Sequence, residues 1–139
     1  MVEVAVARGL PVPDASGNFE PPRAVAANAR RALDVRAEAP PSERGLTPVG
    51  IRRAAQLANR QPVSIPTMRR ILGYLSRHLV DKRGATWDEQ GKGWVAWHAW
   101  GGDEAGRWAA RELARFDPDW YAEWAKAPRN RALLRHLRA

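Results

Sequence analysis

Apolar residues recur at helical spacing through most of this chain, and prolines and glycines divide it into short blocks. After Ser64, the residues Met68, Ile71, Leu72, Leu75 and Leu79 share one stripe while Arg69, Arg70 and Arg77 fall elsewhere. That spacing predicts an amphipathic helix over about 65–80, capped by the Ser64 hydroxyl. Thr47-Pro48 predicts another helix start, with a capping hydroxyl before a proline at the first helical position. It runs to about Ala58 and buries Ile51, Ala54, Ala55 and Ala58. Pro21-Pro22 opens an earlier helix reaching about Ala39, with Val25, Ala29 and Leu33 on one stripe and Ala32 and Val35 beside it. Pro40–Gly45 is then linker.

Later blocks are shorter. Asp81–Gly93 reads as a charged, glycine-rich loop. Trp94, Trp97 and Trp100 follow at i, i+3 and i+6, so they stack on one side of a short helix stopped by Gly101-Gly102. Asp103 is placed to cap a helix from Glu104 to about Phe116. Asp117-Pro118 repeats the device for a short helix through Tyr121 and Trp124. Pro128 opens a basic helix with Leu133, Leu134 and Leu137 on one side. Before all of these, Val2, Val4 and Val6 alternate ahead of Gly9, Pro11, Pro13 and Gly17, which reads as an extended arm. The prediction is an all-α, compact bundle of about six or seven short helices with an extended N-terminal arm. Residues 1–20 form the arm, 21–116 a basic and aromatic helical domain, and 117–139 a C-terminal helical tail.

Composition sharpens this picture. With 139 residues the chain is one domain's worth of material. Of its residues 45% are hydrophobic, but many are alanine, so the seven tryptophans, two tyrosines and two phenylalanines must supply much of the core. No apolar run approaches the roughly 20 residues that span a bilayer, so no membrane partner is expected. The opening MVEVAVARGLPVP lacks a long apolar stretch, which argues against a secretory leader.

The net charge of +8 is unevenly placed. Residues 1–22 hold one arginine against three acids; residues 23–83 hold thirteen basic against four acidic residues; residues 84–139 hold nine against eight. The excess lies on the earlier helices. One consequence is sequence-independent contact with DNA or an acidic surface through Arg30, Arg31, Arg52, Arg53, Arg69, Arg70, Arg77, Lys82 and Arg83. The plainer alternative is a set of ordinary solvated helix faces in an arginine-rich chain. The helices at 47–58 and 65–80 also invite a helix-turn-helix reading as a DNA-binding regulator, with Thr67, Arg69 and Arg70 opening the recognition helix. The connection Arg60-Gln61-Pro62-Val63 is long for that motif and lacks its usual glycine.

The aromatic half suggests cohesion and docking. Trp97 and one neighbour are expected in the core. Exposed members of Trp87, Trp94 and Trp100, with Val4, Val6 and Leu10 of the arm, would make a protein-docking surface. An arm that finds little to pack on in its own chain points to an oligomer or a larger assembly. Catalytic signatures are missing. Cysteine is absent, and His78, His98 and His136 show no metal-binding spacing. The glycines match no phosphate loop or dinucleotide fingerprint. The expectation is therefore a non-enzymatic protein with no metal and no cofactor.

Several strings resemble a small helical module of tailed-phage genes, found alone or attached to head-assembly proteins such as prohead proteases and portals. They are Pro21–Arg36 (PPRAVAANARRALDVR), Gly50-Ile51-Arg52-Arg53-Ala54, Val63-Ser64 with Thr67–Arg70, and Gly91-Lys92-Gly93. The most specific are Ser76–Lys82 (SRHLVDK) and Ala99–Asp103 (AWGGD). The resemblance covers roughly residues 21–110 and departs at the arm and from Phe116 onward. No protease motif is present here. The resemblance implies a virion or head-assembly component, in the virion or the host cytoplasm, with phage structural proteins as partners.

Overall fold

In the computed structural model, residues 12–138 are described, and they form seven α-helices with two short 3-10 turns and no strand. Helix α1 spans Arg23–Glu38, α2 Pro48–Ala58, α3 Ile65–His78, α4 Lys92–Ala99, α5 Gly102–Phe116, α6 Pro118–Trp124 and α7 Pro128–Arg138. The 3-10 turns are Pro41–Glu43 and Leu79–Arg83. No helix among the described residues is long and apolar enough to cross a membrane.

Local chemistry explains the starts of α2 and α3. The Thr47 hydroxyl accepts the Gly50 amide at 3.2 Å, and Ser64 Oγ accepts the Thr67 amide at 3.3 Å, each satisfying a donor that the first turn leaves without a partner. α3 buries Met68, Ile71, Leu72 and Leu75, as its stripe predicts. α2 differs from expectation: it buries Gly50, Ala54 and Leu57, and leaves Ile51, Ala55 and Ala58 half-covered. Leu57 is drawn in because α2 lies across α1 and α4, which rotates the inward face by one position.

Two expected caps are replaced by tertiary contacts. Gly101, not Asp103, caps α5; its φ is +98°, and a Cβ there would lie 2.3 Å from the Ala105 Cβ. Asn28 of α1 clamps this turn by donating to the Gly101 carbonyl at 2.9 Å and to Glu104 Oε1 at 2.7 Å. Asp117 stands before α6 but makes no side-chain cap. Its carboxylate accepts from Arg69 instead, because an ion pair with a guanidinium is the stronger bond.

The core runs between the helices as one cluster. α1 packs on α2 and α4; α3 packs on α5 and α7. Trp97 is fully buried, together with Val25, Leu57, Leu75, Leu113 and Leu133. The expected arm ends sooner than residue 20. Phe19 is 2% exposed, exchanges backbone hydrogen bonds with Val63, and sets its ring 5.3 Å from that of Phe116. A large apolar side chain in an extended segment finds its partners, Val63 and Phe116, inside this chain. Val4, Val6 and Leu10 lie outside the described residues. At the other end α7 is latched by Ser76 Oγ to Asn130 Oδ1 at 2.5 Å and by Asn130 Nδ2 to the Trp124 carbonyl at 2.8 Å.

Truncating Trp97 to alanine is expected to lower the unfolding free energy by about 3–5 kcal/mol in a denaturant titration. Val80→Ala, at a side chain 58% exposed, is expected to change it by less than about 0.5 kcal/mol.

Candidate polyanion-binding groove

Helices α2 and α3 do not pack side by side. The gap between them is a groove of about 410 Å³ lined by Val49, Arg69, Arg70, Gly73, Tyr74, Arg77 and Trp100. Its α3 wall is one stripe: Arg70, Gly73, Tyr74 and Arg77 stand at i, i+3, i+4 and i+7. From α2, Arg53 reaches over Trp100, and Arg52 stands close enough to act on Arg53. No acidic side chain lines this groove among the described residues. A larger groove of about 510 Å³, beside the end of α1, is lined by Arg36, Arg44 and Lys92 but also by Glu38, Glu43 and Glu89, so its charges cancel.

The floor is an aromatic column. Tyr74 stacks on Trp100 with centroids 4.3 Å apart and on His78 at 4.1 Å. The Arg53 guanidinium lies over Trp100, 5.4 Å from its centroid. Arg53 also bonds Gln56, while its Nε is buried without a partner. Burial first, and then the like charges of Arg70 and Arg52, push the Arg53 pKa down. The cations here thus stand close enough to repel. Burial, and then Asp81, push the Tyr74 hydroxyl pKa up, and Arg77 only partly opposes this.

Sequence-predicted basic residues fall into two groups. Arg52, Arg70 and Arg77 are exposed and form no ion pair among the described residues. Arg69 lines the same groove but is committed: its Nε donates to Asp117 Oδ2 at 2.7 Å, and its guanidinium lies over Trp120 at 5.2 Å. Arg30, Arg31 and Arg83 are exposed but do not line the groove, and Arg30 bonds Asn59 while Arg31 covers Trp94 at 5.4 Å.

Lys82 departs most from expectation. Its Nζ donates to Asp103 Oδ1 at 3.0 Å and sits 4.9 Å from the ring centroids of both Trp87 and Trp97. It neutralises a carboxylate inside the fold, so it is not a surface contact. Asp103 also accepts from Trp97 Nε1 at 2.8 Å and faces His136 Nε2 at 3.0 Å. This ion pair joins the SRHLVDK and AWGGD segments.

The docking assignment is corrected in the same way. Trp94 and Trp100 are only 7% and 6% exposed, because the alanine-rich helices leave space that large rings fill. Trp87 is half-buried against Trp97, His98 and Lys82. Val49 and Tyr74 also line the groove and are not evident as site residues from the sequence, although the i, i+4, i+7 spacing of Arg70, Tyr74 and Arg77 carries the signal. Thr67, which the helix-turn-helix reading places at the opening of the recognition helix, is buried. No family model, curated protein or solved structure matches this chain.

Burial pushes the Asp103 carboxyl up, but Lys82, Trp97 and His136 outweigh it and hold its pKa below the ordinary 3.8. A carboxylate depressed on folding stabilises the protein fully above that value and ceases to do so as pH falls through the folded-state value. Urea titrations through this acid range should show a falling midpoint, with a shallower fall in Asp103→Asn. Equal slopes would remove Asp103 from the account.

Proposed function

We propose that this chain is a non-enzymatic assembly component of a tailed phage or prophage. In this reading the groove between α2 and α3 holds a polyanion, either DNA or an acidic capsid surface, while the arm and remaining exposed aromatic surface meet other subunits. The observation that carries it is that Arg70 and Arg77, neither ion-paired among the described residues, line a groove without an acid, with Arg52 and Arg70 both close enough to act on Arg53. Other guanidinium groups of this fold are paired, as at Arg60–Glu20 and Arg69–Asp117, whereas these face one groove with no acid to neutralise them. The phage setting rests on the resemblance of Ser76–Lys82 and Ala99–Asp103 to the head-assembly module.

The non-enzymatic part of this reading rests on the sequence, which carries no catalytic signature. The most connected carboxylate, Asp103, is occupied by Lys82, Trp97 and His136.

Salt elution from immobilised heparin tests the groove. Arg70→Glu/Arg77→Glu should abolish salt-dependent retention with the helical signal unchanged, and elution at the wild-type salt concentration would refute the proposal. Mass-spectrometric detection of the chain in purified particles, at a fixed ratio to the capsid protein, tests the setting.

A further inference from the structure

We propose that the polyanion is duplex nucleic acid, gripped by its phosphate backbone at the α2–α3 groove and not read at its bases. This rests on the polyanion reading above and names the partner. Four observations support it.

Ring faces are already taken. Trp100 carries Arg53 and Tyr74, and Tyr74 lies between Trp100 and His78. Binders of single strands offer bare aromatic faces on which bases stack. With Trp100 buried, this groove offers none. Contact falls to the guanidinium groups, which match phosphate oxygens in a planar fork.

Spacing is the second observation. Arg70 and Arg77 lie seven residues apart on one stripe, about 10.5 Å along the helix at 1.5 Å per residue. Both guanidinium groups therefore face the same side of α3 and can meet separate phosphates of one backbone, while Arg52 stands near Arg53 on α2.

The third observation separates nucleic acid from an acidic protein. Protein partners draw their strength from apolar or aromatic anchors buried at the centre of the contact. Among the lining residues, Val49 is the one large apolar side chain that is exposed, at 48%. The apolar lining from Trp100 and Tyr74 lies at the floor, and Arg70 and Arg77 are exposed above it, so a partner meets charge first.

The fourth is the crowding itself. Arg53 Nε lacks an acceptor, and Arg52 and Arg70 stand near enough to act on it. A phosphate between the rims supplies the missing negative charge.

Fluorescence anisotropy across a salt series tests this, using a labelled mixed-sequence duplex, its isolated single strand, and polyglutamate as competitor. The duplex should bind at least as tightly as the strand, and unrelated duplexes should bind alike. Arg70→Gln/Arg77→Gln should lower the slope of log affinity against log salt by about 1.8, roughly 0.9 for each phosphate no longer neutralised. The exposed pair Arg131→Gln/Arg135→Gln on α7 removes the same charge and should leave the slope near wild type. Arg52→Gln, beside Arg53 on α2, gives an independent reading of about 0.9 should the α3 variant fail to fold. Tighter binding to the single strand would overturn the backbone-only grip. Displacement by polyglutamate as effective as by unlabelled duplex would overturn the nucleic-acid assignment and leave the polyanion groove standing. No salt-dependent binding of either probe would remove both proposals.

Discussion

Indole rings need more cover than an alanine-rich interior can give, and the rest of the structure follows from how that cover is found. Trp97 is fully enclosed, but Trp94 and Trp100 reach the edge of the core. There cations close over them: Arg31 over Trp94, Arg53 over Trp100, and Lys82 over Trp87 and Trp97. A guanidinium or ammonium over a ring face contributes about 0.5–1 kcal/mol when exposed and more when desolvated. The chain is small, with a core of modest volume, so such contacts are a sizeable share of its net stability. Basic residues here are therefore structural first, and only the remainder is available to a partner.

Local signals are well represented in the sequence. The Thr47 and Ser64 hydroxyls cap the helices they precede, and the stripe from Met68 to Leu75 faces the core as its spacing requires. What the sequence does not disclose is long-range pairing. Nothing in the neighbourhood of Asp103 indicates that Lys82, Trp97 and His136 converge on it, and nothing near Asp117 points to Arg69. A carboxylate with two competing uses takes the partner that tertiary packing brings, and a helix dipole is weak beside a desolvated ion pair. Phe19 reads as part of the arm for the same reason. Its partners Val63 and Phe116 are distant in sequence.

The groove is half legible. Arginines are visible as a cluster, but whether each is committed or free depends on the neighbouring element. Arg69 and Arg70 are adjacent in sequence; one is held by Asp117 and stacked on Trp120, the other stands clear. The result is a site with a stable border and a charged interior. Arg69 and the Arg53–Trp100–Tyr74–His78 column fix the border and the floor, while Arg70, Arg77 and Arg52 form no ion pair among the described residues. Preorganised rigid walls lower the ordering cost of any association that follows.

The Asn28 clamp on the Gly101 turn has a kinetic consequence. It joins positions 73 residues apart, and the Phe19–Val63 bridge adds a second distant closure. Helical domains usually fold quickly because their contacts are local, whereas loop closure over such separations must precede the reward. Both closures raise the mean sequence separation of the contacts, so refolding is expected to be slower than in a bundle held by sequential helix packing alone.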